Sequence, residues 1–91
     1  MITHEPPSKI DEAKVIEWAW SGDTPFGEVK GTSIIHIFGL VIATYDDNKY
    51  YRFSCDKEWE TQQDEVYDTI SEAKNQLPDQ YRSVDANWIK R

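Results

Sequence analysis

The chain has 91 residues with 10 basic and 17 acidic side chains, a net charge of -7, which is the size of one domain and too short for two independent cores. That charge repels phosphate backbones and anionic membranes, so it argues against nucleic-acid and membrane binding and for a basic partner. Four Trp, five Tyr and three Phe supply bulk for a core, while the single Cys excludes an internal disulfide and fits a reducing compartment, the cytoplasm by default.

Residues 1–10 read as an extended or flexible arm, because Pro6-Pro7 in "THEPPSK" fixes an extended backbone and removes two donors. "MITHEPPSKIDEAK" has neither a basic n-region nor an apolar h-region, and no stretch approaches the ~18 apolar residues of a membrane span, so no targeting elsewhere is expected. Residues 11–91 then form a single domain. In "KVIEWAW", Ile16, Trp18 and Trp20 fall on one parity and Val15, Glu17 and Ala19 on the other. A strand fits best, with Asp11 as a cap leaving a short helix open. "SGDTPFGEVKGT" holds three of the four Gly and reads as turns.

"SIIHIFGLVIATY" is β-branched and apolar on both parities, as expected of one internal strand covered on both sides, with Gly39 marking a bulge or a close contact. "DDNK" makes a hairpin turn into "YYRFSC", with Asn48 suited to the left-handed conformation. In that second arm Tyr51, Phe53, Cys55 and Trp59 share the parity expected to face the core. Tyr50, Arg52, Ser54, Asp56, Glu58 and Glu60 share the one expected to face solvent. "TISE" has capping-box spacing, Thr69 with Glu72, and starts a helix from about Ile70 to Leu77 that Pro78 ends, with Ile70, Ala73 and Leu77 on its apolar side. Val84, Ala86 and Trp88 in "SVDANWIKR" alternate as a last strand. The expected fold is α+β, an antiparallel sheet with one principal helix on a face, in the order β-β-β-α-β.

The chemistry-bearing residues leave three alternatives. Cys55 with His36 has the composition of a nucleophile and base, but Cys55 shares the parity of Phe53 and reads as a small core hydrophobe. His36 lies among isoleucines and His4 in the arm, neither at zinc-ligand spacing to a second His or Cys. Asp56, Glu58, Glu60, Asp64, Glu65, Asp68 and Glu72 stand against Lys57 alone, so this window carries -6 of the net -7. It lacks the glycine turn of a calcium loop. A solvated face, a docking surface and, least of the three, a catalytic or metal site account for it. No cofactor motif is present, and no catalytic or metal residue is assigned.

The run "IATYDDNKYYRFSCDKEWETQQDEVYDTISEAKNQLPDQY", residues 42–81, with its "YYRFSCDKEWE" strand and "YDTISEAK" helix start, resembles small bacterial immunity-type proteins that neutralise toxins. The resemblance implies a class: a compact, acidic cytoplasmic inhibitor of a toxin whose active-site groove is basic. The residue reading points to the same docking surface, Asp56, Glu58, Trp59, Glu60, Asp64, Glu65, Tyr67, Asp68 and Glu72, where acids steer and the two rings anchor. A small enzyme or metal-binding domain built on Cys55, His36 and the acids is one rival, and a constitutive accessory or regulatory subunit is another.

Overall fold

The computed structural model describes residues 5–31 and 33–90. His4 with the rest of residues 1–4, and Arg91 at the end of the expected last strand, lie outside the described residues. The arm ends as β1 (Lys9–Ile10), which turns through Asp11 and Glu12 into β2 (Ala13–Trp20). Both turn residues adopt left-handed backbone, φ 50° and 70°. Asp11 therefore serves a hairpin and not a helix cap. Pro6 and Ile10 are buried, which anchors the arm on the domain.

The strand expected over "KVIEWAW" forms, but a bulge between Val15 and Glu17 shifts its register against β5 (Gly39–Thr44). The extra residue reverses parity midway. Val15 opposes Ala43 and Trp18 opposes Val41, so both enter one core cluster with Phe53 and Cys55, while Glu17 opposes Ile42 on the other face. The expected opposition of Val15 and Trp18 is thereby corrected.

"SIIHIFGLVIATY" is two strands and not one. β3 (Gly27–Lys30) and β4 (Ile34–Ile37) form a separate two-stranded sheet, and the chain breaks at Phe38 before β5. There the Phe38 N–H donates to the Cys55 carbonyl at 3.0 Å, and its own carbonyl accepts from Ser21 N–H at 2.9 Å. Because β4 lies outside the main sheet, Ile34 is 56% exposed. Gly39 is the close contact that the sequence suggested: a Cβ there would stand 2.3 Å from the Trp59 ring.

Residues 45–49 link β5 to β6 (Tyr50–Cys55) as the expected hairpin. The Thr44 hydroxyl closes it by donating to the Lys49 carbonyl at 2.7 Å and accepting from Asp47 N–H at 2.9 Å. The left-handed residue is Asp47, φ 63°, not Asn48. After β6 the chain turns over residues 56–60 into β7 (Thr61–Tyr67), a strand that the sequence reading did not assign. The alternation traced through Glu60 thus stops at Cys55.

Helix α1 covers Ile70–Asn75, then Pro78 opens a 3-10 turn at Asp79–Tyr81 and β8 (Ile89–Lys90) pairs with β2. Thr69 caps α1 by accepting from Glu72 N–H at 3.1 Å. The return leg of the box is a bond from the Thr69 hydroxyl to the Glu72 carboxylate at 3.2 Å, and not to the backbone. Ala73 and Leu77 are buried and Ile70 half-buried, as the spacing required. The last strand is shorter than expected. Val84, Ala86 and Trp88 keep their alternate burial as extended chain packed on the second core.

The main sheet, β1-β2-β5-β6-β7 with β8 on β2, is antiparallel and curled. The fold is α+β in this coarse sense, with a minor helix and more strands than the order β-β-β-α-β allowed. One face holds Val15, Trp18, Val41, Phe53 and Cys55, closed at its end by Trp59. The other holds Ala19 and Leu40 under Phe26, Ile37, Leu77 and Tyr81.

Arg52 is the largest departure from the alternation rule: expected in solvent, it is 1% exposed. Helix α1 packs over β6 and β7, so both faces of β6 are covered. The guanidinium donates to the Tyr67 hydroxyl at 2.9 Å and to the Ala73 and Gln76 carbonyls at 3.2 and 3.4 Å. Those carbonyls are the negative end of the α1 dipole, which offsets part of the cost of burying a charge. On the next strands of the same face, Glu17 is 5% exposed, and Lys74 of α1 reaches its carboxylate as an ion pair at 2.5 Å. Among the described residues no helix is long and apolar enough to cross a membrane.

Candidate functional site

The acids of the 56–72 window do not form one cluster. They run along β7 and the turns at its two ends, a strand of seven residues that spans roughly 20 Å. Asp56 is part of the turn itself: its carboxylate accepts from the Glu58 and Glu60 N–H groups at 2.9 and 3.0 Å and from the Gln62 side chain at 3.3 Å. Glu58 and Glu60 are exposed as expected, but from a turn and not from the strand alternation on which that expectation rested. At the far end Asp68 pairs with Lys49 and Glu72 serves the helix cap.

Both expected aromatic anchors face inward. Trp59, with left-handed backbone at φ 63°, folds back over Gly39, its ring centroid 6.0 Å from Trp18 and 5.4 Å from Trp20. Tyr67 gives its hydroxyl and its ring face to Arg52, the guanidinium 5.2 Å from the ring centroid.

What remains free on β7 is its middle. The strand ends the path of the main sheet, and among the described residues no strand pairs with its outer side. Asp64 and Val66 oppose Phe53 and Tyr51 on one face, and Glu65 opposes Arg52 on the other. Asp64, Glu65 and Val66 are exposed. Charges at such an edge discourage indiscriminate strand pairing, so Asp64 and Glu65 protect the edge as well as colour it.

On the Asp64 side the edge continues into a feature that the sequence reading missed. Tyr45, 55% exposed, stands edge-on to Tyr51 at 5.3 Å, and its hydroxyl donates to the Asp11 carbonyl at 2.7 Å. The Tyr45 hydroxyl is held above its ordinary 10.0, first by desolvation and then by the charges of Asp11, Tyr51, Asp64 and Glu12. The Tyr45 hydroxyl thereby ties the start of the β5–β6 hairpin to the β1–β2 turn. Tyr45 and Val66, both exposed, flank the half-buried Tyr51 in an apolar strip, with Asp11 meeting the Tyr45 hydroxyl at one end and Asp64 on the Val66 face of β7 at the other. Only the sheet register joins these segments, so no local motif announces them.

The rival constellation is not assembled. The Cys55 thiol is fully buried, and burial pushes it up to about 12, away from the thiolate that nucleophilic chemistry needs. His36 lies in the β3–β4 sheet, its Nε2 3.6 Å from the Glu28 carboxylate with both side chains exposed. They border a groove of about 690 Å³ with Gln63, Gln80 and Ser83. Among the described residues no group of three His, Cys, Asp or Glu is placed to hold a metal ion. Searches against protein-family models, curated proteins and solved structures find no match to the chain.

Proposed function

We propose that this is a non-enzymatic protein-docking domain, an immunity-type inhibitor that meets a basic protein, a toxin in the reading the sequence resemblance offers, and works in the cytoplasm. The observation that carries the reading is the strip in which exposed Tyr45 and Val66 flank half-buried Tyr51, with Asp11 and Asp64 at its ends. Tyrosines supply large contact area at little entropic cost, and a charged rim raises the encounter rate without needing to be buried. The acids of the β6–β7 turn, Glu58 and Glu60, extend the same negative field along the strand.

The test is association kinetics with the protein that the domain captures from its own cell. The on-rate should fall steeply as salt rises, because the Debye length shrinks from ~10 Å at 0.1 M to ~3 Å at 1 M. Asp64→Lys/Glu65→Lys should slow association without moving the melting temperature, and Tyr45→Ala should speed dissociation from a domain that stays folded, its melting temperature lowered only by the lost Asp11 bond and Tyr51 contact. A salt-independent on-rate that the charge reversal leaves unchanged sinks the proposal.

A further inference from the structure

At the end of the sheet opposite the Tyr45–Lys49 hairpin, three segments meet around a groove of about 560 Å³: Trp20 with Gly22 and Asp23 after β2, Phe38 at the break between β4 and β5, and Lys57 in the β6–β7 turn. The Trp20 and Phe38 rings stack at 5.8 Å and 28°. Trp59 backs the Trp20 ring, so this shelf rests on the core. The Lys57 ammonium lies 5.3 Å from the Phe38 ring centroid, within cation–π range.

We infer that this groove receives an arginine side chain of the basic partner, seated on the Trp20–Phe38 shelf and paired with Asp23, and that Lys57 is the internal cation it displaces. The inference deepens the docking reading above and rests on it. Three observations carry it. The Phe38 face already accepts a cation, supplied by the protein's own chain. The groove holds one carboxylate of its own, Asp23, which lines it together with Lys57, and the turn that carries Lys57 adds exposed Glu58 and Glu60, so the charge near the groove favours a cation. The mouth is open: at Gly22, φ 88°, a Cβ would meet nothing within 4 Å. A guanidinium suits this lining better than an ammonium, because its plane stacks on a ring while its fork engages a carboxylate.

The experiment is an NMR titration of the labelled full chain with three capped tripeptides, Gly-Arg-Gly, Gly-norleucine-Gly and Gly-Glu-Gly, read at the Trp20 and Phe38 signals. The arginine peptide should shift both, and the other two neither. Lys57→Met should tighten arginine binding roughly two- to fivefold, the range of an exposed cation–π contact, and Asp23→Asn should weaken it. Lys9→Met, which changes the net charge equally, should leave it unaltered. Binding that Lys57→Met weakens or leaves unchanged, or a response to the glutamate peptide instead, overturns the assignment. Loss of the arginine response while Asp64→Lys/Glu65→Lys still slows partner association removes the groove alone. Arginine binding here with partner association indifferent to that charge reversal removes the β7 surface alone.

Discussion

Strands β6 and β7 pair along almost their whole length and follow one another across a single turn, yet β6 is buried from Arg52 to Cys55 whereas β7 is exposed from Gln63 to Val66. Arg52 and Glu65 are direct cross-strand partners on one face, and the first lies under helix α1 while the second stands in solvent. Alternation fixes which side chains share a face, but only a covering element decides whether that face is dry. The central strand has α1 above it and the aromatic cluster below, and the edge strand is left to bear the charge.

The turn that joins the two strands offers the strongest way to break this contrast. Gly39→Ala would drive a Cβ into Trp59, which Trp18 and Trp20 already flank. Urea denaturation should show a loss of about 3 kcal/mol. If the variant is as stable as the parent, the ring does not close the core.

The Arg52 and Glu65 pair tests the contrast directly. Arg52→Ala should cost about 3 kcal/mol, because it removes three hydrogen bonds to the Tyr67, Ala73 and Gln76 oxygens and empties a buried site. Glu65→Ala should stay within about 0.5 kcal/mol. Arg52→Met should recover much of the loss, since it fills the space without a buried charge. Equal costs for the two alanine variants would mean that α1 does not set the difference.

A smaller effect belongs to the cap that starts the covering helix. Thr69→Ala should lower stability by about 1 kcal/mol, and Thr69→Ser should restore it. The smallest near neutral pH is an effect of Cys55 that emerges only in alkali. Burial raises the thiol from 9.0 to about 12, so between those values the unfolded chain has released a proton that the folded chain still binds. Stability then falls as pH rises. The contribution is complete below pH 9 and lost toward pH 12, and Cys55→Ala should show a shallower decline in melting temperature over that window. Thiol reagents should modify the native protein only after denaturant is added.

What the sequence made legible was local. The 45–49 hairpin and the Thr69 cap each rest on chemistry within a few residues, and each is present, whereas the helix expected to reach Leu77 and stop at Pro78 already ends at Asn75, and Pro78 opens the 3-10 turn instead. The bulge beside Ile16 and the break at Phe38 were hidden, because both are imposed by partners across the sheet. Arg52 was misplaced because nothing near it announces that a helix about 20 residues later will cover it. In the candidate site the acids were plain in the sequence. Their division into turn, cap, ion pair and free edge was not, and neither was the meeting of Tyr45 with Asp11, which lie 34 residues apart in the chain.

The guanidinium of Arg52 also bears on how the molecule assembles. A helix of six residues has too few turns to persist alone in water, so α1 forms as it docks, and its last carbonyls are met by a charge that stays hydrated until that moment. Its amides should therefore exchange with solvent through a shared sub-global opening that rehydrates Arg52 and separates Lys74 from Glu17, while the hairpin of β5 and β6 beneath stays closed. The lower sheet is then the part able to form first, and the covering layer a later, cooperative unit held by the buried Arg52 together with the Lys74–Glu17 pair and buried Ala73.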